Sequence, residues 1–138
     1  MFSIIIPTFN NLSYLQLCLK SLKKNSYKKH EIILHVNDGS DGTLDFIKKK
    51  KIIHTYSKTN IGLCSGVNKA VKISKHEYIL YAHDDMYFCP NWDKYLTDEV
   101  KKIKHNKFYL SGTMIEASDG HITYNCGKTV KKFNEKNF

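Results

Sequence analysis

Two adjacent carboxylates end an apolar segment near the middle of the chain. The run YILYA at 78–82 is apolar and of strand length, and Asp84 and Asp85 follow it after His83. Neighbouring carboxylates repel each other unless solvent or a cation neutralises them, and Mg²⁺ or Mn²⁺ commonly binds such oxygens together with a substrate's phosphates. The alternative is a helix cap, because a helical pattern begins soon after, at Asn91. The pair alone therefore leaves a metal site and a cap equally open.

Alternating strand and helix patterns predict the elements that position these residues. The alternation indicates an α/β fold with a largely parallel sheet. The predicted strands are Phe2–Ile6 (ended by Pro7), Glu31–Val36, Lys51–Tyr56 and Glu77–Ala82, with Phe108–Leu110 as a fifth strand that Thr113–Ile115 extends or follows. The predicted helices are Leu12–Leu22 (capped by Asn10 or Asn11), Thr43–Lys50, one that opens behind the loop Asn60–Gly66 and runs to Ser74, and Trp92–Ile103, whose Trp92 and Tyr95 are expected in the core.

Length and cysteine content favour one domain that needs no disulfide. A chain of 138 residues can bury its own core. Its four cysteines form no C-x-x-C pair, so reduced, mostly buried thiols are expected. The N-terminus has no basic region, and no apolar run reaches the length of a membrane span. These features predict a cytoplasmic chain.

The charge is strongly positive but does not predict nucleic-acid binding. The net charge is +9, and clustered cations attract polyanions. All 22 basic residues are lysine, however, and arginine is the usual bidentate reader of bases. Most lysines are expected on solvated helix faces and ends. We therefore expect no nucleic-acid partner, and a weak attraction to an anionic membrane surface stays open.

Three loops with polar side chains leave the carboxyl ends of the predicted strands. They are Pro7–Asn10, Asn37–Ser40 and His83–Asp85. In a parallel sheet these ends lie along one edge, which is where open α/β sheets bind ligands.

The loops belong to four sequence blocks that resemble a known enzyme family. SIIIPTFN, VNDGSDGT, TNIGLCSGVNKA and ILYAHDDMYFCPNW are similar, in order and spacing, to the signature blocks of family 2 glycosyltransferases, over residues 2 to 95. The resemblance implies a GT-A (Rossmann-like) α/β sandwich, a nucleoside-diphosphate sugar donor and Mn²⁺ or Mg²⁺. It implies a nucleotide-sugar-binding domain over 1–127, which could be truncated, and a polar tail over 128–138.

The resemblance also implies roles for individual residues around the nucleotide. Pro7, Thr8 and Asn10 match the loop around base and ribose, and Asp38 matches the acidic residue that accepts hydrogen bonds from the base. Without the other blocks, Asp38 and Ser40 would be interpreted as an Asx turn and a helix cap. Asn60, Gly62, Gly66 and Asn68 match an N-x-G-x-x-x-G-x-N segment near nucleotide and donor sugar, where a helix N-terminus would favour a phosphate.

His83-Asp84-Asp85 aligns with the family's metal-binding D-x-D block. Asp85 and Asp84 would hold the cation, and Asp84 would also lie against the donor. His83 replaces the first aspartate, and three roles stay open for it: a ligand, a support for the ligands, or a wall of the pocket. Asn37 is a second departure, since an aspartate is common there, and it retains hydrogen-bonding capacity.

No residue matches the family's general base, which activates the acceptor hydroxyl. Glu116 and Asp119 are the remaining acidic candidates, and both are better explained as turn residues. The resemblance therefore implies a glycosyltransferase, or its donor-binding portion, that transfers sugar to an unidentified glycan, lipid or protein acceptor. The alternatives are a catalytically incompetent nucleotide-sugar-binding module and a basic domain that binds nucleic acid.

Overall fold

A computed structural model describes residues 1–116 and 121–137 and is built on a four-stranded parallel sheet. The strands are β1 (Phe2–Phe9), β2 (Glu31–Asn37), β3 (Ile53–Ser57) and β4 (Tyr78–Tyr81), in the order β3-β2-β1-β4. The helices are α1 (Leu12–Asn25), α2 (Thr43–Lys49), α3 (Leu63–Val71) and α4 (Trp92–Lys102). Two short strands, β5 (Ile115–Glu116) and β6 (Ile122–Thr123), pair with each other, and 3₁₀ turns follow at Val130–Lys132 and Glu135–Asn137.

The central strands are buried on both faces because helices cover the sheet on each side. Residues 2–8 of β1 are all buried, as the continuous apolar run predicts for a parallel strand. On one face, Ile4 and Ile6 pack with Leu15 of α1. On the other, Ile5 and Ile33 pack against Ala70 of α3. This two-sided burial confirms the predicted α/β fold, and the parallel pairing of the four strands places their carboxyl ends at one edge.

Strand β1 continues through Pro7 to Phe9, so the prediction that Pro7 ends it was wrong. The carbonyl of Ile5 accepts a hydrogen bond from the amide of Ala82, on the β4 side of the strand. The backbone nitrogen of Pro7, two residues further along, points to the same side. The pairing of β1 with β4 stops at Ile5. The missing amide of Pro7 therefore interrupts no ladder, while the pairing of β1 with β2 runs on to Phe9 and Asn37.

Three other expectations from the sequence were wrong. Phe108–Leu110 forms no strand: the rings of Phe108 and Tyr78 lie 6.1 Å apart in a tilted arrangement, and Tyr109 is 92% exposed. Residue type alone favoured a strand there, but no neighbouring strand pairs with it. Tyr95 is 67% exposed on α4, because the helix buries only one side against the sheet. Among the thiols, Cys18 alone is buried, because it lies on the inner face of α1.

The end of the described chain returns to α1. Lys24 of α1 and Glu135 form an ion pair of 2.8 Å, and the turn at Val130–Lys132 contacts the same helix. A domain division at residue 127 stays a prediction. In the described ranges, no helix has the length and apolarity needed to cross a bilayer.

Candidate functional site

The loops after β1 and β4 meet at Asp84, as expected for strands that end at one edge. Thr8, buried at the end of β1, donates from Oγ1 to Asp84 Oδ2 at 2.6 Å. Asn11 donates from Nδ2 to Asp84 Oδ1 at 3.0 Å. Both carboxylate oxygens are therefore engaged by side chains that enter from the β1 loop.

Partial burial raises the pKa of Asp84 above its usual value. The neighbouring carboxylate of Asp85 raises it further, while the hydrogen bonds from Thr8 and Asn11 oppose the shift. Nearby, the pKa of the Cys18 thiol is raised to about 12 by burial and then by the negative charges of Asp84 and Asp85. The loop thus places two carboxylates side by side, one half-buried and one exposed, which favours a cation.

Asp85 is the open member of the pair. Its side chain is exposed and accepts no hydrogen bond from any residue in the described ranges. A Mg²⁺ or Mn²⁺ ion needs only one or two protein carboxylates when substrate phosphates and waters complete its shell. Nowhere in 1–116 and 121–137 do three His, Cys, Asp or Glu side chains converge on an ion. An open carboxylate beside a half-buried one therefore fits an ion shared with a ligand and does not fit a closed protein cage.

His83 is directed toward the neighbouring strand residue. Its Nε2 lies 2.9 Å from the hydroxyl of Tyr81, and the two rings are 5.1 Å apart. Both side chains are exposed beside Asp85. Tyr81 was not among the residues singled out from the sequence, because an alternating strand pattern gives no sign of a contact with the residue two positions further.

The loops after β1 and β2 are joined through Asn10 and Asp38. Asn10 Nδ2 donates to Asp38 Oδ2 at 3.0 Å, and the amide of Gly39 donates to Asn10 Oδ1 at 3.0 Å. Ser40 adds a bond of 3.2 Å to the same oxygen of Asp38. Asp38 has a φ of +60°, an unusual backbone for a non-glycine residue, which suits a functional loop that its surroundings hold in place.

A buried contact with a backbone amide accounts for asparagine at position 37, where an aspartate is common in the family. It is buried, and its Oδ1 accepts from the amide of Ile61 at 3.0 Å. Asn60 accepts from the amide of Gly62 at 2.9 Å in the same loop. The amide oxygen of Asn37 satisfies this buried contact without adding a charge. Asn37 therefore holds in place the loop that leads into α3.

The N-x-G-x-x-x-G-x-N segment divides between loop geometry and packing. Gly62 has a φ of +81°, and no atom lies within 4 Å of the position that a Cβ would occupy, so backbone conformation is what favours glycine there. At Gly66 a Cβ would lie 2.5 Å from the ring of buried His35, so close helix-to-strand packing favours glycine. Asn68 is exposed on α3 and forms no side-chain hydrogen bond within the described ranges. Pro7 is buried inside β1.

Asp41 and Asn11 have roles that the sequence did not reveal. Asn11 occupies the predicted N-cap position of α1, but neither its side chain nor that of Asn10 bonds a helix amide, because they bond Asp84 and Asp38 instead. Asp41 instead accepts from the amides of Leu12 and Thr43, at 2.9 and 3.0 Å, and so caps α1 from a distant loop. The Asx spacing of Asp41 and Thr43 was a local signal, but the contact with Leu12 requires the fold.

Glu116, one of the two acidic candidates for a general base, lies away from this edge on β5. Glu116 is exposed on β5 and contacts none of the site residues by a hydrogen bond in the described part of the chain. Asp119 lies outside the described residues.

Comparison with known proteins gives a consistent result. The family model described as glycosyl transferase family 2 matches residues 3–136. An uncharacterized glycosyltransferase of Rickettsia prowazekii is 38% identical over 97% of this chain and 42% of its own length. One from Mycoplasma genitalium is 32% identical over 96% of the chain and 44% of its own length. One from Rickettsia bellii is 29% identical over 99% of the chain and 19% of its own length. The chain therefore spans less than half the length of these relatives.

Solved structures share the fold. TarS of S. aureus, in a complex with UDP, superposes with a TM-score of 0.66 and 26% identity over 73% of this chain and 32% of its own. The mannosyltransferase PcManGT of Pyrobaculum calidifontis, in complex with GDP-Man and Mn²⁺, gives a TM-score of 0.59 at 19% identity, over 72% and 31% of the two chains.

Proposed function

The chain belongs to glycosyl transferase family 2, and we propose that the carboxyl edge of its sheet binds a nucleoside-diphosphate sugar and presents the sugar for transfer to an acceptor. Its parallel sheet with flanking helices is the GT-A fold of its solved neighbours. The observation that carries the proposal is the joining of three strand-end loops by the Asn10–Asp38 and Thr8–Asp84 hydrogen bonds, beside the open carboxylate of Asp85.

Asp38 is proposed to recognise the base. Its Oδ2 is held by Asn10 and Ser40, while its Oδ1 accepts no hydrogen bond in the described part of the chain. A fixed carboxylate with one free oxygen can accept from the imide or amino edge of a base. The UDP complex of TarS supports uracil as the first base to test. Pro7, Thr8 and Asn10 would form the surrounding wall.

Asp85 is proposed as the direct ligand of Mn²⁺ or Mg²⁺, with Asp84 beside it. Thr8 and Asn11 hold Asp84 in one orientation, which keeps the loop in place for both partners. When bound, the ion would act as a Lewis acid that offsets the charge developing on the diphosphate as the sugar leaves. His83, bonded to Tyr81, would line the pocket beside the ion.

The approach to α3 is proposed to receive the diphosphate and sugar. Asn60 and Gly62 shape the loop, and the first turn of α3 presents backbone amides that no side chain caps. Such amides favour an anionic group. Asn68, exposed on the same helix, would contact the sugar. We assign no residue of this chain to bind the acceptor or to activate it.

Calorimetry with UDP tests the proposal. We expect the full chain to bind UDP more tightly with Mn²⁺ than with a chelator. GDP, which carries guanine in place of uracil, serves as the alternative nucleotide. Asp98→Ala is the matched control for aspartate variants at the site, because Asp98 is an exposed aspartate on α4 that forms an ion pair with Lys101 at 3.1 Å. If neither UDP nor GDP binds detectably, with or without Mn²⁺, the proposal is contradicted.

Incubation with uridine-diphosphate sugars then measures donor hydrolysis and transfer. Release of UDP supports a glycosyltransferase active in this chain. Metal-dependent binding without any release of UDP would reduce the function to donor binding.

A further inference from the structure

A groove on the outer side of α1 is separate from the donor site. Its volume is about 340 Å³, and it lies between α1 and the segment 128–137. The residues that line it are Ser13, Gln16, Leu17, Lys20, Val130, Phe133 and Glu135. We refer to it as the α1 groove. Three of its seven lining residues, Leu17, Val130 and Phe133, are apolar, and we refer to them as its apolar floor.

Specific contacts fix the second wall of the groove. Glu135 accepts from Lys24 at 2.8 Å and from the hydroxyl of Tyr87 at 2.7 Å, both at Oε1. The rings of Phe133 and Tyr87 lie 4.8 Å apart. The segment 128–137 is thus attached to α1 and to the loop that precedes α4, so the groove is formed by tertiary contacts.

The rim of the α1 groove is strongly basic. Helix α1 contains no acidic residue, and Glu135 is the single acidic residue of the segment 128–137. Lys24 holds the pKa of Glu135 below its usual value, so this carboxylate stays ionised and its charge is paired with that of Lys24. Lys20 lines the groove, and the other exposed lysines of the two elements that form its walls are Lys23, Lys128, Lys131, Lys132 and Lys136.

We propose that the α1 groove and its lysines dock the protein on an anionic phospholipid surface. Lysines near such a surface attract its headgroups, and an apolar floor can accept the glycerol and upper acyl region of a lipid. A nucleic-acid backbone would use the lysines but not the apolar floor, and arginine is absent from the chain. Charge together with an apolar floor therefore favours lipid.

The position of the groove relates it to the donor site without depending on it. The groove begins at Ser13, two residues after Asn11, whose side chain holds Asp84. Docking through this face would place the carboxyl edge of the sheet near the membrane surface. The proposal does not rest on the proposed function, because neither Asp38 nor Asp85 lines the groove.

The chain provides a matched control for charge alone. Lys69, Lys72 and Lys75 are exposed lysines on α3 and just after it, and α3 packs on the opposite face of the sheet from α1. Two triple variants therefore remove the same charge from different faces: Lys20→Gln with Lys131→Gln and Lys132→Gln, and Lys69→Gln with Lys72→Gln and Lys75→Gln. All six side chains are exposed, so both variants should fold, which thermal melting verifies.

Sedimentation with vesicles is the test. We expect the full chain to bind vesicles of phosphatidylcholine with phosphatidylglycerol and not vesicles of phosphatidylcholine alone. Each lysine near an anionic surface is worth about fivefold in binding, so the groove variant should bind about a hundredfold more weakly. The α3 variant should lose much less, because α3 lies on the opposite face of the sheet and its lysines would face away from the vesicle.

Three results of the vesicle and duplex measurements would overturn the proposal. They are no binding to anionic vesicles, an equal loss in the two triple variants, and tighter binding to a DNA duplex that the groove variant weakens as strongly as vesicle binding. The middle result would assign the attraction to net charge alone, and the last would assign the face to nucleic acid. Inorganic phosphate that displaces the vesicles at equimolar concentration would also reject the lipid, since it offers nothing to the apolar floor.

Discussion

The two ends of the sheet use aspartate in opposite ways. At the amino ends of the strands, Asp93 is 1% exposed and accepts from the amides of Tyr27 and Lys28, each at 2.8 Å. It also receives His30 Nε2 at 2.8 Å, while His30 Nδ1 accepts from the amide of Phe2 at 3.2 Å. Because Nδ1 is an acceptor, we assign the ring proton to Nε2. We call this group the amino-end cluster.

At the carboxyl edge the donors are fewer and the carboxylates more open. Burial would raise the pKa of Asp93, but the hydrogen bonds from Tyr27, Lys28 and His30 outweigh it and hold the pKa below its usual value. Asp84 receives two hydrogen bonds, and burial leaves its pKa raised. The same side chain is thus fully satisfied by protein at one end and incompletely satisfied at the other. The difference teaches that a carboxylate the protein does not satisfy is the one available to a ligand.

The largest expected effect is on the stability of the amino-end cluster. Asp93→Ala should lower the free energy of unfolding by about 3 to 5 kcal/mol, because it leaves two amides and His30 without their acceptor in a buried site. Chemical denaturation measures it, with Asp98→Ala as the control, expected to cost less than about 1 kcal/mol at an exposed pair. If Asp93→Ala and Asp98→Ala lose the same free energy of unfolding, the amino-end cluster does not stabilise the fold.

The opposite pattern is expected for Asp85. Asp85→Ala should leave stability nearly unchanged but abolish the Mn²⁺ dependence of UDP binding. Residues that merely support metal ligands are worth about tenfold to a hundredfold in metal affinity, so a direct ligand should cost at least about a hundredfold. Asp85→Asn should also weaken the site, since the amide lacks the charge. A variant that keeps the full effect of Mn²⁺ in calorimetry would show that Asp85 is not a ligand.

Asp38→Ala should produce an intermediate effect that is independent of metal. Loss of one hydrogen bond to the base should weaken UDP and UDP-sugar binding by similar factors, about tenfold to a hundredfold. The metal dependence of the residual binding should persist. Thermal unfolding is measured in parallel, because Asp38 also bonds Asn10 and Ser40. Lower melting with normal binding of both ligands would reduce Asp38 to a turn residue.

The smallest effect concerns the pH dependence at Asp84. Its folded pKa is raised, so the ionised form destabilises the fold at neutral pH, and this cost disappears as the pH falls through the folded pKa. Asp84→Asn should therefore stabilise the protein at pH 7, by less than about 1 kcal/mol because a weakened hydrogen bond offsets part of the gain. The advantage should vanish at acidic pH.

The pH dependence of Asp93 has the opposite sign. Its folded pKa is lowered, so its contribution is present above the unfolded pKa of about 3.9 and is lost as the pH falls through the folded value. Denaturation of Asp84→Asn and Asp93→Asn across this range, each relative to wild type, measures both. Variants that respond to pH in the same direction would remove the contrast between the two ends.

Much of the architecture could be predicted because it depends on local patterns. The continuous apolar runs of β1 and β2 indicated buried parallel strands, and the turn residues between Asn37 and Gly42 indicated the break before α2. Long-range contacts could not be predicted in this way. Asp41 caps α1 from 29 residues away, and nothing near Leu12 announces it. The failed strand at Phe108–Leu110 has the same cause, since a strand exists only where another one pairs with it.

The sequence by itself determined which side chains reach the carboxyl edge, because strand direction and loop position fix where Asp38, Asp84 and Asp85 emerge. Only the tertiary structure decided what each carboxylate can do. Asp93 stands in a helix-start pattern and Asp84 in a site motif, and neither pattern reveals how many donors surround the group. That number depends on residues distant in the chain, such as Asn11 for Asp84 and His30 for Asp93. Burial raises the pKa of a carboxylate and hydrogen bonds lower it. The packing of distant residues therefore decides whether a carboxylate stabilises the fold or remains available to a ligand.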